Sequence, residues 1–319
     1  MQIYGTKTML KKVTIIFLMA IFAFLTPMNA FATGSYPWQI LLDDGYPAVI
    51  DRYNNPKAYP EFSFPEDKQL LEIWPVNVWL ADAFFLCYGD QCWMIDCADS
   101  SCADRVTTLM KKLDITRIDR IINSHPHHDH LNGLAAVAGM AEVGELAVGF
   151  PEDCTEHMIK AMETCREKNI TVTHFEDGTR LMMGDVALDI MMKCDESYKM
   201  NDRSAVIRVQ YGERTALFTG DIENDGQQKL AETVDHALLK ADVLKYPHHG
   251  RVKMVESFYK AVNPSLVLVT NNTESGDAPS YLRNKRVPSA FCVNPYVHLA
   301  TDGVHWLVER IPDPGACPQ

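Results

Sequence analysis

Residues 121–134 read IINSHPHHDHLNGL and place His125, His127, His128, Asp129 and His130 within one short run. The apolar piece RIDRII before them reads as a strand, and the Ala-rich LNGLAAVAGMA after them reads as a helix start with small packing residues. The polar cluster therefore sits on a strand-to-helix loop, where a rigid scaffold holds side chains that water can still reach. Neutral imidazole and carboxylate oxygen both suit zinc and other borderline divalent ions. In an extended loop His125 and His127 leave on one side, Asp129 continues the alternation, and His130 faces the other way. The pattern H-x-H-x-D-H thus supplies ligands to two adjacent positions. Two ions a few ångströms apart can hold a bridging hydroxide and clamp the attacking and leaving oxygens. A His-rich surface loop is the plainer alternative, but four histidines and an aspartate in fixed register before a helix argue against it.

The run His125-Pro126-His127-His128-Asp129-His130 resembles the signature of the metallo-β-lactamase superfamily. The resemblance covers roughly residues 70–311. It implies an α/β fold, the metallo-β-lactamase αββα sandwich: two mixed sheets face to face, helices outside, and metal loops along one edge. The alternation of hairpins and helices along the sequence agrees with that layering. In the superfamily a strand ending in an acidic residue precedes the histidine motif and orients its loop, and Asp96 looks like that residue. The run VWLADAFFL resembles the V-G-Q-G-D-A segment of the branch related to ComEC; the glycines are lost and Asp82-Ala83 is kept.

Further along, SAVIRVQYGERTALFTGD reads as a hairpin ending in Thr219-Gly220-Asp221. The resemblance implies that Asp221 bridges the two metals. The strand ADVLKYPHHG ends in Pro247-His248-His249-Gly250, and its L-K-x-P-H-H-G pattern resembles the ComEC-like branch and secreted phosphorylcholine esterases of the superfamily. The resemblance implies His248 as the last metal ligand and His249 as a substrate contact or supporting group. Family members supply a further histidine after the strand corresponding to VALDIMMK. Here that slot, KCDESYKMNDRS, has none, which leaves water, Asp195 or Asn201 in its place. His174 precedes that slot and reads as an ordinary strand residue; His236 reads as a surface residue on a helix.

The chain has 319 residues, 47% of them hydrophobic, with 23% charged and a formal charge of −12. That length allows a substantial core. The negative balance opposes a general nucleic-acid surface, which needs a basic stripe. A phosphate substrate, nucleic acid included, stays open, because bound dications make a pocket locally positive. Residues 11–32 carry Lys11-Lys12, an apolar run and Ala30-Phe31-Ala32, the plan of a secretory signal peptide cleaved after Ala32. The expected organisation is a signal peptide at 1–32, an N-terminal extension at 33–68, the metallo-β-lactamase-fold domain at 69–312 and a tail at 313–319. The mature chain is expected outside the cytoplasm, secreted or in the cell envelope by bacterial-type export, with no stable membrane span. There are nine cysteines. The regular spacing of Cys87, Cys92, Cys97 and Cys102 is not a metal-ligand pattern, and these read as buried or bridged strand cysteines.

The expected function is that of an exported binuclear hydrolase with two divalent ions, zinc or alternatively manganese. Its ligands would be His125, His127, Asp129, His130, Asp221 and His248, with Asp129 and His249 as the catalytic side chains. The resemblance implies a small-molecule or cell-envelope phosphodiester or phosphate ester, attacked by a metal-bound hydroxide. Hydrolysis of a lactam, lactone or thioester and a secreted binding module without turnover are the alternatives.

Overall fold

The structure is a computed structural model that describes residues 38–42, 62–271, 278–292 and 296–311. The expected signal peptide, most of the extension and the tail, with Cys317, lie outside the described residues.

Period-two alternation builds two sheets, each with two apolar faces. In Phe84-Phe85-Leu86, Phe84 and Leu86 enter the core between the sheets and Phe85 faces the helices. The nine-stranded sheet runs Trp38–Leu41, Trp306–Ile311, Tyr296–Thr301, Leu71–Pro75, Ala83–Tyr88, Gln91–Cys97, Arg120–Ile122, Glu145–Val148, Thr171–His174. The seven-stranded sheet runs Arg180–Met183, Val186–Met191, Val206–Tyr211, Arg214–Phe218, Val243–Lys245, Leu266–Val269, Ser289–Phe291. Each sheet changes from antiparallel to parallel partway across, at Gln91–Cys97/Arg120–Ile122 in the first and Arg214–Phe218/Val243–Lys245 in the second.

The parallel halves need crossovers, because a strand cannot return in the same direction through a tight turn. Helices Ala103–Lys112, Leu134–Met140 and Glu156–Lys168 cross over the first sheet, and Asn224–Thr233, Glu256–Val262 and Ala278–Lys285 over the second. Val106, Leu109, Val137, Met158 and Met162 pack on the outer face of the first sheet. Leu230, Leu239, Phe258, Val262 and Leu282 pack on that of the second. The result is the αββα sandwich, and the carboxyl ends of its parallel strands meet along one edge.

The Gly89-Asp90 turn joins the strands Ala83–Tyr88 and Gln91–Cys97. The helix Glu156–Lys168 starts where it does because Thr155 caps it by accepting a hydrogen bond from Met158 N at 3.0 Å. The Thr155 hydroxyl in turn donates to the carbonyl of Pro126 at 3.1 Å, tying that cap to the histidine loop. The stretch NDGQQKLAETVDHALL forms two helices, Asn224–Thr233 and His236–Leu239, separated at Val234-Asp235. Within the extension, Trp38–Leu41 is an edge strand paired with Trp306–Ile311. None of the described helices is long and apolar enough to cross a membrane.

Gly133 seats the turn that follows the histidines. Its N–H donates to Ala98 O at 3.0 Å. A Cβ there would lie 1.9 Å from the carbonyl oxygen of Cys97, a backbone atom that cannot swing aside. Gly133→Ala is expected to lower stability by about 1–3 kcal/mol through overpacking, read from the denaturant midpoint.

Candidate metal centre

Each parallel half delivers its polar residues just past the carboxyl end of a strand, where open α/β sheets place ligands. After Arg120–Ile122 the chain runs through buried Asn123, Ser124 and His125 to His127, whose extended backbone opens the short helix His128–Leu131. Asp96, at the end of the neighbouring strand, holds this loop. It accepts from Ser124 N and Ser124 Oγ, both at 2.7 Å, and from Asn123 Nδ2 at 3.0 Å. Its remaining contact is with His130 Nδ1 at 2.8 Å. A carboxylate on one ring nitrogen fixes the tautomer and aims the other nitrogen. Asp96 therefore orients the motif, as expected.

The second sheet contributes the opposing wall. Gly220 has φ 51°, and a Cβ there would meet Ser204 Cβ at 2.8 Å, so the turn that presents Asp221 requires glycine. Asp221 Oδ2 lies 3.2 Å from His130 Nε2 and 3.1 Å from His249 Nε2. Asp129 Oδ2 closes the group at 3.4 Å from His249 Nε2. Ligand atoms from Asp129, His130, Asp221 and His249 all lie within 4.8 Å of one another. His249 is oriented as His130 is: its Nδ1 faces Asp82 Oδ1 at 3.2 Å and Thr270 Oγ1 at 3.0 Å, and the Thr270 hydroxyl donates to Asp82 at 2.6 Å. Two Asp–His pairs, one from each side, thus point an Nε2 at a single carboxylate.

That geometry is the test of fit for a cation. His130 Nε2 and His249 Nε2 are buried and make no hydrogen bond, although a carboxylate oxygen stands close to each. Buried polar atoms are rarely left so. These atoms converge on a common point instead of pairing along N–H axes, and imidazole with carboxylate is the donor set of zinc and related ions.

The electrostatics agree. Asp82, Asp96 and Asp221 are almost fully buried. Burial raises a carboxyl pKa, yet Lys245 and His249 hold Asp82 well below its usual range, and His249, His130 and Lys245 do the same for Asp221. Burial opposes charge on His249, but Asp221 and Asp82 outweigh it and push the imidazole up to about 10. His130 is raised well above its ordinary value against the same burial, by Asp221 and Asp96. The carboxylates demand positive charge at this point, and a dication supplies it as well as protons do.

Two expectations change. The sequence reading gave the metal position to His248 and a supporting one to His249; the structure brings His249 into the four-residue group. His248 Nε2 stands 3.7 Å from Asp221 Oδ2, and its Nδ1 faces Glu223 at 3.4 Å. The backbone makes this choice: His248 and His249 both have positive φ, at 47° and 53°, a left-handed run that turns the second ring inward. The other change concerns the first expected ion. His125 Nε2 and His127 Nδ1 lie 3.1 Å apart. Among the described residues, neither joins a group of three or more His, Cys, Asp or Glu ligands of that tightness. Asp195 instead accepts from Ser197, and Asn201 donates to Glu223. Burial keeps His125 and His127 below the usual imidazole range, in the neutral form that binds metal. His174 is exposed and faces Glu152 at 3.8 Å, and His236 is exposed, both as read.

Lys245 was given no role from sequence. Its fully buried ammonium lies 2.5 Å from Asp82 Oδ2 and 3.4 Å from Asp221 Oδ1, and it donates to Gly220 O at 2.6 Å. The available signal was a lysine inside the apolar strand just before the histidine pair. Asp82 likewise carried a signal, an aspartate kept inside an apolar run.

Lys245→Met leaves two buried carboxylates short of a cation and is expected to lower stability by about 3–5 kcal/mol, measured by chemical denaturation at neutral pH. Asp82→Asn is expected to weaken zinc binding about 10–100-fold, as for loss of a group that orients a ligand. In calorimetric zinc titrations His249→Ala should lose more affinity than His248→Ala.

Residues 74–191 match the profile of the Metallo-beta-lactamase superfamily. The chain is 24% identical over 160 residues to ComE operon protein 3 of Bacillus subtilis (strain 168), covering 49% of this chain and 20% of that protein. It is 23% identical over 251 residues to Competence protein ComA of Neisseria gonorrhoeae, covering 78% and 31%. The chain thus spans between a fifth and a third of the length of these curated relatives. Among solved structures, the metallo-beta-lactamase fold protein YhfI from Bacillus subtilis is similar at 12% identity and TM-score 0.48, over 69% of this chain and 95% of that one. CmlA, a diiron beta-hydroxylase from Streptomyces venezuelae, is similar at 14% identity and TM-score 0.46, over 82% and 59%. Over residues 74–191 the chain thus matches the metallo-β-lactamase superfamily, and its similarity to the two competence proteins supports a ComEC-like branch of it.

Proposed function

We propose that this chain is an exported metal-dependent hydrolase that cleaves a phosphodiester or phosphate ester. The observation that carries the reading is the convergence of Asp129, His130, Asp221 and His249, with two buried imidazole nitrogens that no hydrogen bond satisfies. Asp129, His130, Asp221 and His249 would hold one ion, and His125 with His127 would contribute to a second. Bound divalent ions would lower the pKa of a water toward neutrality and polarise the scissile group.

The chain's own residues prepare that chemistry. Lys245 engages Asp221 through Oδ1, which leaves Oδ2 for the cluster. Asp129 is half-buried, with the exposed His128 3.6 Å from its Oδ1, so it can also orient a water or a substrate hydroxyl. His248 is more accessible than His249 and sits beside the cluster with Glu223, a position suited to contacting a substrate oxygen. The formal charge of −12 is compatible with a phosphate substrate, because bound dications would make the pocket locally positive. The substrate class rests on the motifs shared with the ComEC-like and phosphorylcholine-esterase-like groups, and a cell-envelope setting on the competence proteins among its relatives and the N-terminal signal pattern.

The test is a panel of bis-(p-nitrophenyl) phosphate, p-nitrophenyl phosphorylcholine and nitrocefin, run with zinc or manganese. Turnover of a phosphate ester is expected, falling to background in Asp221→Asn. Turnover of nitrocefin alone would move the activity to lactam chemistry, and stoichiometric metal with no turnover of any ester or lactam would favour a binding module.

A further inference from the structure

We infer that Cys87 and Cys92 form a reversible cross-strand disulfide, a modification site at the tip of the hairpin Ala83–Cys97. The two residues are direct partners across the antiparallel strands, one pair in from the Gly89-Asp90 turn, and their sulfurs already lie 3.7 Å apart.

The ladder geometry distinguishes this pair from an ordinary cross-strand neighbour. Antiparallel partners alternate between pairs that exchange backbone hydrogen bonds and pairs that do not, and side chains approach most closely in the second kind. Cys92 directs both of its backbone groups away from Cys87. Its N–H donates to Asp119 Oδ2 at 3.1 Å, and its carbonyl accepts from Asp119 N at 2.8 Å. Cys87 and Cys92 are therefore a non-hydrogen-bonded pair, whose Cα separation of about 4.5 Å lies at the short end of the range a disulfide spans. Rotation about the two Cα–Cβ bonds can close the sulfur gap without moving the strands. Both side chains are half-buried at the rim of the outer helix layer, so a small oxidant reaches them.

The reaction is exchange with a low-molecular-weight disulfide such as oxidised glutathione. One cysteine thiolate attacks a sulfur of the small disulfide and expels the first small thiolate. The second cysteine thiolate then attacks the mixed disulfide and expels the other. The S–S bond of the reagent is broken, one between Cys87 and Cys92 is formed, and the two cysteine protons end on the two expelled thiolates. The protein loses two electrons and the reagent gains them. Because the pair sits at the hairpin tip, while Asp82 and Asp96 flank its base roughly 13–17 Å along the strands, closing it leaves the metal centre unchanged. The inference is independent of the proposed hydrolase activity.

Tyr88 lies between the two cysteines, which gives a direct assay on the full-length chain. The protein is equilibrated with oxidised glutathione or with a reducing agent, free thiols are alkylated under denaturing conditions, and the chain is digested with chymotrypsin and mapped without reduction. After oxidation, peptides ending at Tyr88 and beginning at Gly89 should appear joined, with the loss of two hydrogens, and should separate after reduction. Zinc binding should be the same in both states. Alkylation of both Cys87 and Cys92 after oxidation would overturn the inference, as would a bond from either to another cysteine.

Discussion

A buried ammonium shared by two carboxylates from opposite walls is the interaction on which this edge of the molecule depends. Asp82 enters from the first sheet, Asp221 from the second, and Lys245 lies between them with almost no solvent contact. Removing such ions from water costs several kcal/mol each, and only close pairing offsets it. Lys245 therefore stabilises the closed edge by pairing with both carboxylates. The closed edge leaves Asp221 Oδ2 facing two imidazoles that are themselves held by Asp96 and Asp82.

The same arrangement explains why the site belongs to the fold and not to any single loop. Each sheet turns from antiparallel to parallel partway across, and the parallel strand ends of both meet at the charged edge. The histidine loop follows one parallel strand, Gly220-Asp221 and the histidine pair follow two others, and Thr270 follows a fourth. Helix crossovers carry the chain away from the edge and return it, so residues far apart in sequence arrive at one point. The strained left-handed run at His248-His249 persists where packing over-determines it, which is characteristic of functional positions.

Much of this was legible before any coordinates. The hairpins announce themselves by alternation and by turn pairs such as Gly89-Asp90, and the histidine run by donor type and register. The role of Asp96 followed from the resemblance, and the hydrogen bonds to Asn123, Ser124 and His130 agree with it. What escaped was set by three-dimensional geometry. Nothing local in Pro247-His248-His249-Gly250 reveals which ring turns inward, since that depends on the left-handed backbone at both histidines. Lys245 looks like one polar residue in a short strand until Asp82 is brought beside it from a distant part of the chain. Trp38–Leu41 is too short to show its pairing with Trp306–Ile311.

The central claim is that Asp129, His130, Asp221 and His249 surround a cation. Anomalous diffraction at the zinc edge, on crystals grown with zinc, tests it most directly. The account predicts a peak about 2.0–2.2 Å from His130 Nε2, His249 Nε2 and the carboxylate oxygens of Asp221 and Asp129. Strong zinc peaks only elsewhere, with these four side chains hydrogen-bonded to one another or to water, would contradict it.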